Sequence, residues 1–201
     1  MKRLLQKPAF NYPITNFFNL LMDFSNLPPA LVSQLMDMVE DYILGSRKKF
    51  LPDAIPLLPS QISALQPFFP AEILSSVRTL VLNGTRIPNP AFYSMARMMG
   101  FHNLPDFSDM TAITFVDVVV SHEKFADDLL FHELVHAVQY AQLGAKDFAS
   151  RYVKGFIQGG CYEEIPLEKN AYELESRFSQ DQAQVFSVAD EVRQWIAAGK
   201  L

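Results

Sequence analysis

The chain of 201 residues has a single cysteine, Cys161, so no disulfide can form within it. One unpaired thiol fits a reducing compartment, and a cytoplasmic location is the expectation. No histidine lies near Cys161 in the sequence, which makes it a small apolar residue rather than a nucleophile. Long apolar runs are also missing. The two longest, "FFNLLMDF" at 17–24 and "TFVDVVV" at 114–120, fall well short of the roughly 18–20 residues that cross a bilayer, so no transmembrane segment is expected. "MKRLLQKPAF" at the N-terminus starts with basic residues, but its apolar stretch ends at Gln6-Lys7-Pro8 and does not read as a secretory leader. Positive charge is scarce. Seventeen Lys and Arg against 22 Asp and Glu leave a net charge of -5, with no basic stripe to attract a phosphate backbone, so nucleic acid is not an expected partner. The one basic cluster, "SRKKF" at 46–50, reads as a solvated helix end or loop. Internal repeats and low-complexity segments are absent.

What remains is a globular composition, 49% hydrophobic and 19% charged, long enough for one sizeable core. The 17 Phe and 13 Pro predict an aromatic core joined by many turns. Apolar residues at helical spacing predict helices at 14–24 and 29–45, the second started by Pro28-Pro29 and ended by Gly45. Five prolines in 51–70 predict loop and short turns. Residues 70–84 read as a short helix leading into a strand at 77–82, and 90–101 as a short helix ending at Gly100. The β-branched run 111–121 reads as one strand. Helices follow at 123–143, stopped by Gly144, and at 147–156. Gly159-Gly160 break the chain, Pro166 starts a helix over 166–186, and a last helix covers 188–198. The pattern is α+β, helix-rich with a small sheet. It reads as one domain, with an N-terminal helical part at 1–70 and a core at 71–201.

"FHELVHAVQY" at 131–140 carries the chemistry. His132 and His136 are four residues apart, which puts them about 40° apart on adjacent turns of one helix face. Two imidazoles so placed can share one metal ion. Tyr140 and Leu143 lie near that face, whereas Leu130, Leu134, Ala137, Val138 and Ala141 gather on the opposite one. Glu133 sits at about 100° from His132, at the rim of the histidine face, where a carboxylate can take a proton from water without ligating. This is the physical content of an H-E-x-x-H motif: zinc takes three protein ligands, keeps a position for water and acidifies it, and the neighbouring carboxylate acts as general base.

A third ligand is needed. A histidine six residues after the second is excluded, because Gln142 stands there and Gln139 stands where that class has glycine. His102 and His122 read as loop histidines. Five later glutamates are candidates: Glu163, Glu164, Glu168, Glu173 and Glu175. "PLEKNAYELESRF" at 166–178 favours Glu168, in the first turn after Pro166, with Ala171 three residues on to let a second helix approach closely. Tyr172 and Glu175 follow one and two turns along the same face, suited to hydrogen bonding with a ligating histidine. Tyr162, Tyr172 and Arg177 are the candidate oxyanion donors.

"HELVH" at 132–136 with "EKNA" at 168–171 resembles the gluzincins, zinc metallopeptidases whose third ligand is a glutamate in an E-x-x-A sequence on a later helix. The compact spacing is similar to the minimal members. "HELVHAVQ" also resembles the peptidase-like domain found with bacterial contractile injection systems, where a glutamine commonly follows the second histidine. The resemblance covers roughly 111–180. It implies a zincin-like fold, Zn2+ held by His132, His136 and Glu168, and Glu133 as general base acting on a peptide or protein substrate. It further implies that the strand preceding the active helix borders the cleft with an edge to which substrate backbone pairs. The alternative is a zincin fold serving as a binding or structural module in a larger assembly.

Overall fold

The computed structural model describes residues 27–201, and the helix expected at 14–24 lies outside them. Helix α1 runs Pro29–Phe50, with a proline in its first turn. It does not stop at Gly45. Ile43, Ser46 and Phe50 continue the buried stripe past the glycine, and packing of that stripe outweighs the helix-breaking tendency of one residue. The basic cluster therefore forms the last turn, where Arg47, Lys48 and Lys49 face the negative end of the helix dipole. Residues 51–70 are more ordered than their prolines suggest. They hold a 3-10 turn at Leu51–Asp53, a two-residue strand β1 (Ile55–Pro56) and helix α2 (Pro59–Leu65), in which proline occupies the first turn instead of breaking the helix. Helix α3 (Ala71–Ser76), strand β2 (Arg78–Val81) and helix α4 (Tyr93–Met98) follow close to their expected places.

The run at 111–121 is not one strand but two. Strand β3 (Ala112–Phe115) turns at Val116-Asp117 into antiparallel β4 (Val118–Ser121). Val116 sits at φ 62, a left-handed conformation that a β-branched side chain rarely adopts. Asp117 is the only charged residue in the run, and Arg47 holds its carboxylate through Nε at 2.5 Å and Nη2 at 2.8 Å. The contact that fixes the turn is thus supplied from 70 residues away, which is why the local sequence does not show it. The sheet order is β1-β2-β4-β3, with β2 and β4 parallel and the other pairs antiparallel. β4, buried at all four positions, lies inside the sheet, and β3 is the edge strand next to it, β1 being the other edge. The edge strand therefore precedes the long helix by one further strand.

Helix α5 spans Asp127–Gly159 with a non-helical break at Gly144 (φ 76, ψ 163), so two helical segments meet where the glycine stop was expected. Its first segment is buried without interruption from Leu130 to Tyr140. Leu130, Phe131, Leu134, Val135, Ala137 and Val138 enter one apolar cluster, in which Phe131 stacks on Phe178 at 4.3 Å between ring centres. Tyr140 enters a second cluster and stacks on Phe148 from beyond the break. Gly160, in the left-handed region, caps the helix. Helix α6 (Pro166–Gln180) starts at Pro166 as expected but ends six residues early, and α7 covers Val188–Ala197. Two glycines set where α6 begins: a Cβ on Gly155 would stand 2.6 Å from Pro166 Cδ, and one on Gly159 2.4 Å from Glu164 Cβ. Among the described residues no helix is long and apolar enough to cross a membrane. The architecture is α+β, helix-rich around a small mixed sheet.

Candidate metal centre

The first segment of α5 and the first turns of α6 pack against each other and bring His132, His136 and Glu168 together, all three buried. Leu167, Ala171 and Leu174 on α6 are fully buried. They anchor that helix so that Glu168, one residue from Leu167, points inward. The donor atoms form a nearly regular triangle. His132 Nε2 and His136 Nε2 are 3.1 Å apart, and Glu168 Oε2 lies 3.6 Å from the first and 3.3 Å from the second. Tetrahedral zinc with bonds near 2.0–2.1 Å separates its ligands by about 3.3–3.4 Å. The triangle fits such an ion.

Hydrogen bonds fix which lone pairs face one another. Gln139 Nε2 donates to the Leu167 carbonyl at 3.0 Å and to Asn170 Oδ1 at 3.0 Å. Its own carbonyl oxygen therefore faces His136 Nδ1 at 2.9 Å, and that nitrogen must carry the proton. His132 Nδ1 donates likewise to Glu175 Oε2 at 3.0 Å. Both neutral imidazoles then direct an Nε2 lone pair at the point where the Glu168 carboxylate also converges. Three converging lone pairs repel unless a cation stands between them, either a proton or a metal ion. The electrostatics of the metal-free groups make the same demand. Burial pulls His132 down, but hydrogen bonds to Glu168 and Glu175 outweigh it and push the imidazole up to about 10. Burial likewise opposes charge on His136 and is overcome by Glu168. Burial would raise Glu168, but the two imidazoles hold it far below the usual carboxylate range. A zinc ion binding here would have to displace the proton, so its apparent affinity should fall as pH drops below about 10. For one displaced proton the change approaches roughly tenfold per pH unit, and zinc competition titrations at about pH 6, 7 and 8 would measure it.

Glu133 is buried beside the triangle. The Thr114 hydroxyl, from edge strand β3, lies 2.6 Å from its Oε2 and fixes the side chain. Tyr162 donates to Glu168 Oε2 at 2.6 Å. Tyr172 is half-exposed and lays its ring against that of His132, 4.5 Å between centres. Its phenol is pushed up to about 12, by burial first and then by the Glu168 and Glu175 carboxylates, so it keeps its proton at neutral pH. Of the residues expected around the site, Tyr162, Tyr172 and Glu175 are there, and Arg177 is not. Arg177 pairs with Glu191 at 2.7 Å and stacks over Phe186 at 4.0 Å, on the α7 side of α6. Glu163, Glu164 and Glu173 are exposed. His102 is exposed, and His122 is buried between Arg86 and the Ile87 amide, away from the centre.

Sequence reasoning missed Thr114 and did not give Gln139 its role. The signal for Gln139 was its place three residues after His136, on the same helix face. No such signal marks Thr114, whose contact crosses from another element. Gln139→Leu should remove the hydrogen bond that fixes the His136 tautomer, and a roughly 10–100-fold loss of zinc affinity is expected from a chelator competition assay.

Two spaces open onto the centre. One is a deep apolar chamber bordered by Glu133, His136 and Glu168, and the other a groove bordered by His132, Glu133, Tyr172 and Glu175. Compared with known protein families, with curated proteins and with solved structures, the chain finds no match in any of the three.

Proposed function

We propose that this protein is a zinc-dependent hydrolase of amide bonds, a gluzincin-type metallopeptidase in which His132, His136 and Glu168 hold the ion and Glu133 is the base. The observation that carries this reading is the buried triangle of donor atoms, 3.1–3.6 Å on a side, with a carboxylate fixed beside it. Zinc, when bound, would polarise a carbonyl and lower the pKa of a water towards ~7. Glu133 has one oxygen engaged by Thr114, which leaves Oε1 to take the proton as the water oxygen attacks the carbonyl carbon. It then delivers that proton to the departing nitrogen. The Tyr172 hydroxyl borders the groove next to His132 and stays protonated, so it can donate to the oxygen on which negative charge develops. The outer edge of β3, which no strand among the described residues pairs, is the edge to which the backbone of an extended substrate would add.

The test has two readings on the same sample. Elemental analysis of protein purified without chelator, or after zinc is restored, should give about one zinc per chain. The loaded protein should cleave members of a peptide library, and a chelator should stop it. Failure to take up zinc would overturn the metal centre. Stable zinc with no cleavage would turn the reading to a binding module of the same fold.

A further inference from the structure

The chamber beside the centre has room for one side chain. It holds about 130 Å³ between α1, the 90–107 stretch, β3 and α5. An apolar cavity of roughly 150 Å³ takes a single benzene molecule. Val39, Ile43, Phe101, Phe148 and Phe156 are among the walls, and Glu133, His136 and Glu168 border the same space. A side chain of phenylalanine or leucine size fills it next to the donor triangle, while the backbone that carries it stays on the β3 edge. The groove, about 290 Å³, has a different chemistry. The carboxylates of Asp128 and Glu175 border it, and no lysine or arginine lines either space. A cationic side chain is attracted there and an anionic one repelled.

The strand sets the order of the two residues. The groove reaches β3 only at its start, through Thr111 and Ala112, whereas the chamber borders it from Ala112 through Phe115. Antiparallel pairing is the more stable mode per residue. A segment added to β3 in that sense runs from the Phe115 end towards the Ala112 end. The chamber then receives the residue before the bond at the centre, and the groove the residue after it.

Building on the hydrolase reading, we infer that the bond cleaved joins a large apolar residue, seated in the chamber, to a cationic residue, seated in the groove. The water oxygen bonds to the carbonyl carbon of the apolar residue, and the bond from that carbon to the next nitrogen breaks. The proton taken by Glu133 passes to this nitrogen. One product ends in the apolar residue with a new carboxyl group, and the other begins at the cationic residue with a new amine.

The test uses the full zinc-loaded chain with quenched fluorescent peptides Gly-Gly-X-Lys-Gly-Gly, X being alanine, valine, leucine, phenylalanine or tryptophan. Mass spectrometry of the products locates the cut. From alanine to phenylalanine kcat/KM should rise roughly 10–100-fold, and it should fall back at tryptophan, which overfills the chamber. Replacing the lysine by glutamate should lower it about tenfold at low salt, a difference that shrinks as salt is raised. Affinity of the same peptides for the zinc-loaded Glu133→Gln chain, measured by fluorescence anisotropy, should follow the same order of X without any hydrolysis. Val39→Phe and Ala96→Leu, which narrow the chamber from two different helices, should lower the phenylalanine-to-alanine ratio about tenfold. Asp128→Asn should leave that ratio alone and lower the lysine-to-glutamate ratio about threefold. If a chamber variant fails to fold by circular dichroism, the wild-type series still decides. Cleavage indifferent to X, or faster in the reversed Lys-X series, would overturn this inference and leave the hydrolase reading standing. Stable zinc with the expected order of binding but no hydrolysis of any peptide would overturn the hydrolase reading and the cleavage assigned here with it.

Discussion

Glu133→Gln is expected to abolish amide hydrolysis while leaving the zinc and the fold in place. The side chain is buried and does not belong to the donor triangle, so metal content should stay at that of the wild type. The amide has nearly the shape of the carboxylate, and its oxygen can still accept from the Thr114 hydroxyl, so packing against β3 is kept. What is lost is the ability to accept a proton at neutral pH. General-base contributions of this kind amount to roughly 10²–10⁴-fold. The fall should appear in kcat on the best library peptide, with zinc content measured in parallel. A variant that cleaves as fast as the wild type would remove Glu133 from the mechanism while leaving the metal centre intact.

How much of this was legible beforehand depends on how locally each feature is encoded. The histidine pair and Glu133 follow from the 3.6-residue period alone, and the glycine break at 144 and the proline start at 166 are single-residue signals that the structure respects. Glu168 was legible because a small residue three positions on marks a close helix approach. The glycines that set this approach from the other side, Gly155 and Gly159, were not, since their effect appears only once α5 passes the turn at 164–166. The β3–β4 hairpin was read as one strand because its turn contains a valine. The long-range contacts of Asp117, with Arg47 through its side chain and with the Arg78 amide through its carbonyl, hold the chain in that turn. Arg177 was placed near the site because it shares a helix with Glu168, yet its side chain turns to α7, where Glu191 and Phe186 take it up. The first described helix was predicted with no role, and the structure gives it one, as a wall of the chamber beside the centre.

Glu168→Ala should reduce bound zinc from about one per chain to near zero, under free-zinc conditions that saturate the wild type. The remaining donors are two imidazoles whose tautomers are already fixed by Glu175 and Gln139, and among the described residues the two nearest carboxylates are engaged elsewhere. Glu175 is committed to His132 Nδ1, on the far side of that ring from the donor triangle, and Glu133 is held by Thr114. Glu168→Gln separates loss of charge from loss of packing: it keeps the volume, and an amide oxygen is a weaker ligand than a carboxylate, so zinc binding should be weakened here too. The other glutamates once in contention supply the internal controls. Glu163, Glu164 and Glu173 are exposed, and their alanine variants should bind zinc as the wild type does. Glu175→Ala removes the acceptor for His132 and should cost roughly 10–100-fold in affinity. Competition against a calibrated chelator ranks all six variants on one scale. Retention of zinc by Glu168→Ala, together with its loss in Glu163→Ala or Glu164→Ala, would mean that the 3-10 turn at Tyr162–Glu164, not the first turn of α6, closes the site.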